Sequence, residues 1–293
     1  MRRPLLWLVV AVSLDTAAGA QGGNDRERDE LVGPVRVVRT EYVSAIPEGN
    51  GYKQDGKPTP LGTITYDRAG NYRQREVIDD YGFPVGNETF EYVKQRLTSA
   101  QLIDPKGALL ERREYGYGSS SQYETVTIRT RSGRPYQEHY KRGVAGRIEA
   151  IRYISEAKEI GTTTFTYRSG ANTADEIGFF MPDGRPATAP VGPCLGAHRL
   201  VYRYVDGRVS ERQLFEENGS LKRRSSFKYD NHGNVAEERR TDGSMESLFR
   251  YEYRYDDRGN WIRREETIRY DVGQKSEPPS TLVRITSRTI TYF

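Results

Sequence analysis

Acidic residues come in adjacent pairs along this chain: Asp79-Asp80, Glu216-Glu217, Glu237-Glu238, Asp256-Asp257 and Glu265-Glu266. Two carboxyl groups held about 5 to 9.5 Å apart across a cleft could hydrolyse a glycosidic bond. Most of these pairs have arginine close by, as in Glu237-Glu238-Arg239-Arg240 and Arg263-Arg264-Glu265-Glu266. Cross-strand charge pairing, about 0.2 to 1 kcal/mol per pair, accounts for that pattern without catalysis. The three histidines, His139, His198 and His232, have no partner spacing, and His232 reads as a solvated turn residue. Paired cysteines, His-x-x-x-His and a Gly-x-Ser-x-Gly elbow are absent from the sequence, and Gly116-Tyr117-Gly118-Ser119-Ser120-Ser121 lacks the lysine of a phosphate loop. No catalytic residue, metal ligand or cofactor is assigned. What remains is binding chemistry. Tyr251, Tyr253 and Trp261, interleaved with arginine, could make a strip for sugar rings or another protein; the same aromatics could equally be a structural ladder.

The aromatic strip belongs to a repeated phrase. Tyr66-Asp67-Arg68-Ala69-Gly70-Asn71, Tyr229-Asp230-Asn231-His232-Gly233-Asn234 and Tyr255-Asp256-Asp257-Arg258-Gly259-Asn260 share the form Tyr-Asp-x-x-Gly-Asn. Before the third copy, Phe249, Tyr251, Tyr253 and Tyr255 alternate with Arg250, Glu252 and Arg254. A period of two marks a strand, here with one aromatic and one charged face. In the turn that follows, Asp can bond its own backbone two residues on, and Gly suits the fourth position of a type I turn. The spacing predicts Tyr closing one strand, Gly in the turn and Asn opening the partner strand. One Asp per turn, with no Gly-Gly-x-Gly-x-Asp signature, is assigned to the turn and not to calcium.

The same grammar persists elsewhere in worn form. Asp104-Pro105-Lys106-Gly107, Arg131-Ser132-Gly133-Arg134, Arg168-Ser169-Gly170 and Pro182-Asp183-Gly184-Arg185 are polar-Gly turns between β-rich runs, and Gly207, Gly219 and Gly233 mark further turns. Turn signals every 10 to 16 residues are too short for helical repeats, whose periods start at about 33, and suit the hairpins of a meander. The fold class predicted is all-β: an antiparallel meander of repeated β-hairpins in a twisted or curled extended sheet. The one mild helical pattern is Tyr92 to Leu102. Residues 186–196, rich in Pro and Gly, interrupt the ladder and mark a candidate joint.

Composition bounds the rest. With 35% apolar residues but 21 tyrosines, a Tyr-lined core is expected, because Tyr buries its ring and keeps its hydroxyl wet. Net charge is +4, with 45 basic and 41 acidic residues interleaved, which is not a nucleic-acid footprint. Met1-Arg2-Arg3, an apolar run from Leu5 to Leu14 and Ala18-Gly19-Ala20 have the form of a signal peptide over residues 1–20. The run is too short for a spanning helix, which needs about 20 residues, so no membrane span is expected after cleavage. Residues 21–30 read as a disordered leader and 31–293 as the β domain. Lone Cys194 is expected to be a buried, inert thiol.

The Tyr-Asp-x-x-Gly-Asn copies resemble the YD repeat of the bacterial RHS and teneurin group. That resemblance implies hairpins laid side by side in a long antiparallel sheet, here in a small secreted member. The expected function is a non-catalytic exported module, periplasmic or extracellular in a bacterium, presenting a sheet surface to a glycan or a cell-envelope protein, or serving as envelope scaffold. The alternative is a glycan-acting enzyme whose carboxylate pair the sequence does not reveal.

Overall fold

In a computed structural model, residues 24–48, 51–79, 83–119, 122–131, 133–143, 146–168, 171, 173–189, 196–271 and 280–293 are described. Residues 1–20, read as a signal peptide, lie outside them, as do Cys194 and most of the Pro/Gly-rich candidate joint. Alternating apolar and polar residues form strands throughout. They are β1 (Val35–Glu48), β2 (Gly51–Tyr66), β3 (Tyr72–Ile78), β4 (Pro84–Val93), β5 (Arg96–Ile103) and β6 (Leu109–Tyr117). Next come β7 (Tyr123–Thr130), β8 (Tyr136–Arg142), β9 (Ile148–Ser155), β10 (Lys158–Thr166), β11 (Glu176–Phe180) and β12 (Arg199–Val205). The series ends with β13 (Arg208–Phe215), β14 (Leu221–Tyr229), β15 (Val235–Asp242), β16 (Met245–Tyr255), β17 (Trp261–Asp271) and β18 (Ser280–Tyr292).

Each strand pairs antiparallel with its neighbours in the chain, and β1 also pairs with β18, with Arg39 opposite Thr289 and Val43 opposite Ile285. The meander of hairpins is therefore a closed 18-stranded barrel. This corrects the expected twisted or curled extended sheet: pairing of the first strand with the last removes both free edges, which an open sheet would have to protect by other means. β11 and β12 pair with each other across the candidate joint.

Closure gives the sheet an inside and an outside, and burial tells them apart. Opposed residues share a face, so Glu88, Leu102 and Glu111 lie on one face, as do Tyr153, Gly161 and Phe179. Side chains converge on a concave surface and crowd one another; along most of the sheet this is the buried face, with Tyr153 0%, Phe179 1% and Glu88 2% exposed, while beside the β1–β18 seam Val43, Ala45, Val283 and Ile285 form a buried cluster on the opposite face. The opposite face carries Arg152, Arg239, Arg250 and Lys228, all exposed. Along the inner face, Ile148, Ile151, Tyr153, Phe165, Ile177, Phe179 and Leu200 form the largest apolar cluster. Arg75 and Arg113 reach the buried Glu88 from either side at 2.5 and 3.2 Å.

Within residues 21–30, expected as a disordered leader, the described part from Asn24 on forms a helical turn, α1 (Asp25–Arg28), capped by Asn24 and tied to the β2–β3 turn by the Arg26 amide on the Gly70 carbonyl at 2.8 Å. The mild helical pattern at Tyr92 to Leu102 is the β4–β5 hairpin, turned by Lys94 and Gln95 at φ of 48° and 63°.

In all three repeat copies Tyr is the last residue of its strand, just after a register shift, and Gly has positive φ (89°, 92° and 87°). The Gly amide bonds the Asp carbonyl and the Asp amide bonds the Asn carbonyl, at 2.8 to 3.1 Å throughout. Asp104–Ala108, Glu216–Ser220 and Met181–Arg185 close with the same two bonds. Each is a type I turn followed by a left-handed glycine. Gly233→Val should therefore lower stability by about 1 to 3 kcal/mol through backbone strain, whereas Asn231→Ala, at an exposed position, should stay within about 0.5 kcal/mol. Chemical denaturation of both variants checks this, and equal losses would contradict the turn geometry.

Candidate functional site

The repeat tyrosines do more than end strands. Each even-numbered strand, β2 to β18, has a tyrosine within two residues of its end: Tyr66, Tyr92, Tyr117, Tyr140, Tyr167, Tyr204, Tyr229, Tyr255 and Tyr292. Even strands all end at the rim that holds the chain's α1 segment, so these phenols ring one mouth of the barrel. Four hydroxyls donate to carbonyls at the start of the preceding odd strand: Tyr117 to Leu97, Tyr167 to Ile148, Tyr204 to Ala174 and Tyr229 to Val209, at 2.7 to 2.9 Å. Two others donate to the Asp of the previous repeat turn, Tyr255 to Asp230 at 2.6 Å and Tyr292 to Asp256. Asn234 and Asn260 each donate to the same tyrosine at 2.8 Å. Asn260 also exchanges two bonds with the Val32 backbone, at 2.7 and 2.9 Å. In the first copy the leader takes this part. Asp29 accepts from Tyr66 and Tyr72, and Asp25 accepts from Tyr92 at 2.6 Å, while Asn71 bonds back to Asp67. Burial, followed by the Asp29 carboxylate, raises both the Tyr66 and Tyr72 phenols.

Tyr251, Tyr253 and Trp261 meet on the inner face, at the same end of the barrel. Opposed rows run Tyr253, Arg264, Thr286, Tyr42 and Tyr251, Glu266, Arg284, Ser44 across β16, β17, β18 and β1. Trp261 stands edge-on to Tyr253 with centroids 6.1 Å apart. Arginines cover these rings. The guanidinium carbon of Arg288 lies 3.5 Å from the Trp261 centroid, Arg264 lies 5.7 Å from Trp261 and 5.5 Å from Tyr251, and Arg284 lies 4.8 Å from Tyr42. Glu266 is the nearest carboxylate in the rows, 4.0 Å from Arg284. Burial, reinforced by the neighbouring Arg264, pulls Arg288 down to about 10. The strip is thus an aromatic–arginine wall facing inward, not an outward platform. A period of two shows two faces without saying which one the ring encloses, and Arg264, Arg284 and Arg288 enter the wall from β17 and β18, which the spacing of the β16 aromatics does not reach.

The two acid pairs that lie within strands, Glu237-Glu238 and Glu265-Glu266, are each split between the two faces. Neighbouring strand residues point to opposite faces, so Glu237 lies outside with Lys228 and Arg239 at 3.0 and 3.1 Å, and Glu238 lies inside with Arg240 at 3.0 Å. Glu265 pairs with Arg263 at 2.9 Å on the outer face. Among the described residues, no group of three or more His, Cys, Asp and Glu side chains is placed to hold a metal. His232 is exposed but stacks on Tyr255 at 3.9 Å, His198 is buried against the Phe179 carbonyl at 2.8 Å, and His139 pairs with Gln137.

No family model and no curated protein matches this chain. Solved structures to which the chain is similar include a porin-like protein from Bacteroides uniformis, 12% identical, with a TM-score of 0.45 over 89% of this chain and 98% of that one. A porin-like protein from Bacteroides vulgatus is also 12% identical, with a TM-score of 0.23 over 88% and 98%. The resemblance to the RHS and teneurin YD-repeat group is corrected by the fold: it implied hairpins laid side by side in a long sheet, whereas here the first strand pairs with the last and the hairpins close into a barrel.

The turn carboxylates carry a pH dependence. Burial alone would raise Asp230, but the Tyr255 hydroxyl and the amides of Asn234 and His232 hold it below the usual aspartate value, and Asp256 is held down likewise by Tyr292, Asn260 and Arg258. A carboxyl depressed in the folded state contributes stability that is complete above its unfolded value of about 3.9 and is lost as pH falls through the lower folded value. Tyr255→Phe should cost about 1 kcal/mol near neutral pH, roughly 2 to 4 °C in Tm. It should also make the fall in Tm under acid shallower than in the wild type, which calorimetry across that range checks.

Proposed function

We propose that this chain is a non-catalytic, exported bacterial envelope protein that binds a glycan or a protein segment on the inner aromatic–arginine wall of its barrel. The observation that carries the reading is the convergence of Tyr251, Tyr253 and Trp261 with Arg264, Arg284 and Arg288 on that wall. Aromatic rings and guanidinium groups together are the residues that most often dominate binding energy. Enzymatic action on a glycan has no support: the strand-borne pair Glu237-Glu238 divides between the two faces of the sheet, each carboxylate held by basic side chains.

The barrel works in water on this reading. A membrane-spanning barrel needs an apolar outer band about 25 Å tall, and a lysine or arginine at its midplane costs about 2 to 4 kcal/mol. Here the outer face presents Arg250, Glu252 and Arg254 on β16, Glu237 and Arg239 on β15, and Arg152 on β9. Closure of 18 strands around a tyrosine-ringed mouth favours a second reading, insertion in an outer membrane. Its discriminating measurement is ultracentrifugation of the mature protein without detergent: a supernatant monomer supports the water-facing barrel, and sedimentation with membranes supports insertion.

The binding reading is tested on a glycan array with the mature protein and with Trp261→Ala, both first checked for folding by circular dichroism. A bound glycan whose signal drops at least tenfold in Trp261→Ala, and not in the outer-face variant Arg250→Ala, is the expected result. Binding that responds to Arg250→Ala and ignores Trp261→Ala would place the ligand elsewhere.

A further inference from the structure

The aromatic faces on the inner wall are already covered by guanidinium groups, and this changes what the wall can bind. With Arg288 stacked at 3.5 Å on Trp261, and Arg264 between Trp261 and Tyr251, little ring face is left for a sugar to stack on. A stacked guanidinium keeps its planar N–H edge free, and an aromatic neighbour holds that plane still. Neither Arg264 nor Arg288 makes an ion pair with a described carboxylate, whereas Arg75, Arg113, Arg240 and Arg263 on other parts of the barrel do. Asp29 and Glu30 of the leader act on Arg288 electrostatically without reaching ion-pair distance.

Four polar atoms on this wall are buried without a hydrogen-bond partner: Nε of Arg264, Nε of Arg288, Oγ1 of Thr286 and, one row away, Oε2 of Glu266. Thr286 is 1% exposed and stands directly opposite Arg264 in the strand pairing. Buried donors left unpaired cost about 1 to 3 kcal/mol each, more when charged. Two like charges brought together in a low-dielectric site add to that cost. A fold retains such a cluster at lower cost when an anion completes it.

We propose that Arg264, Arg288 and Thr286 form an oxyanion-binding subsite, and that the ligand of the inner wall carries a sulfate or carboxylate group, as in an acidic polysaccharide. The proposal rests on the binding reading for the inner wall and names the ligand class. Two guanidinium edges fit a tetrahedral or planar oxyanion with paired N–H donors, and the Thr286 hydroxyl supplies a third, neutral donor. Glu266, one row away, faces Arg284 at 4.0 Å without a hydrogen bond to its Oε2, so Arg264 and Arg288, and not Arg284, are the pair that selects charge.

The test uses the mature full-length chain and inorganic sulfate as the probe, with chloride at matched ionic strength as the reference. Calorimetric titration and thermal melting are run on wild type, Arg264→Gln, Arg288→Gln and the outer-face control Arg250→Gln. Sulfate should raise the wild-type Tm, and its apparent affinity should fall about tenfold or more in each inner variant and stay unchanged in Arg250→Gln. Arg264→Gln also gives up its contacts with Trp261 and Tyr251, so the readout is the sulfate-dependent gain in Tm over the chloride baseline: an arginine with a purely structural role would lower the baseline and leave that gain unchanged. Equal sulfate effects in all four proteins, or none in the wild type, would overturn the subsite. A neutral glycan bound on the array with no sulfate response would leave the binding reading standing and overturn this proposal. A sulfate response lost in the inner variants, with no array binding, would support the subsite and count against a glycan as its ligand.

Discussion

Pairing of β1 with β18 is the constraint on which the rest of this structure depends. The two strands lie at opposite ends of the chain, and their ladder runs from Val35 opposite Tyr292 to Ala45 opposite Val283. Without it the sheet would present two long edges with unpaired amides and carbonyls. With it, every strand has two partners and the sheet has an enclosed face. That face can be Tyr-rich and charged because crowding on a concave wall gives phenols, guanidiniums and carboxylates partners within reach. Glu88 held by Arg75 and Arg113, and Tyr153 bonded to Thr163 at 3.1 Å, are the result.

The tyrosine-ringed mouth follows from the same geometry. A register shift ahead of each repeat tyrosine re-aims its side chain across the neighbouring hairpin, as bulges do at barrel rims. The hydroxyl then satisfies a carbonyl or a turn carboxylate that would otherwise face the rim alone. One side chain thus covers its strand end with its ring and fixes the preceding turn with its oxygen. The leader completes the circuit: Asp25 stands in for the turn carboxylate that the first repeat does not offer to Tyr92, and Asp29 accepts from Tyr66 and Tyr72.

Much of this was legible in the sequence, and the gaps have physical causes. Asp-x-x-Gly turns were readable because the glycine conformation and the Asp side-chain bonds are local. The strands were readable because period two needs only neighbours. Closure was not, since Arg39 and Thr289 are far apart in sequence and nothing in either strand names its partner. The tight turns at Lys94-Gln95 and Glu156-Ala157 were also unreadable, because they adopt positive φ without glycine, and a run without a breaker at Tyr92 to Leu102 looks like weak helix. Residues 21–30 look disordered by composition, yet Asp25 is buried, with Tyr92 and the Tyr72 amide bonded to its carboxylate. The aromatic strip was visible as a strip, but its inward direction depends on closure and so was hidden with it.

Closure is therefore the claim to test most directly. Arg39 and Thr289 are both exposed on the outer face and directly opposite across the seam. Introducing Arg39→Cys and Thr289→Cys in a Cys194→Ser background, followed by mild oxidation and non-reducing mass analysis, reads the seam itself. The closed barrel predicts near-complete intramolecular linkage of the folded monomer. Linkage should be absent when Thr289→Cys is replaced by a cysteine at Arg129, which lies on β7 with β1 not among its strand partners. Two free thiols in a protein whose far-ultraviolet spectrum remains that of a folded β-sheet would contradict the barrel and return the hairpins to an open sheet.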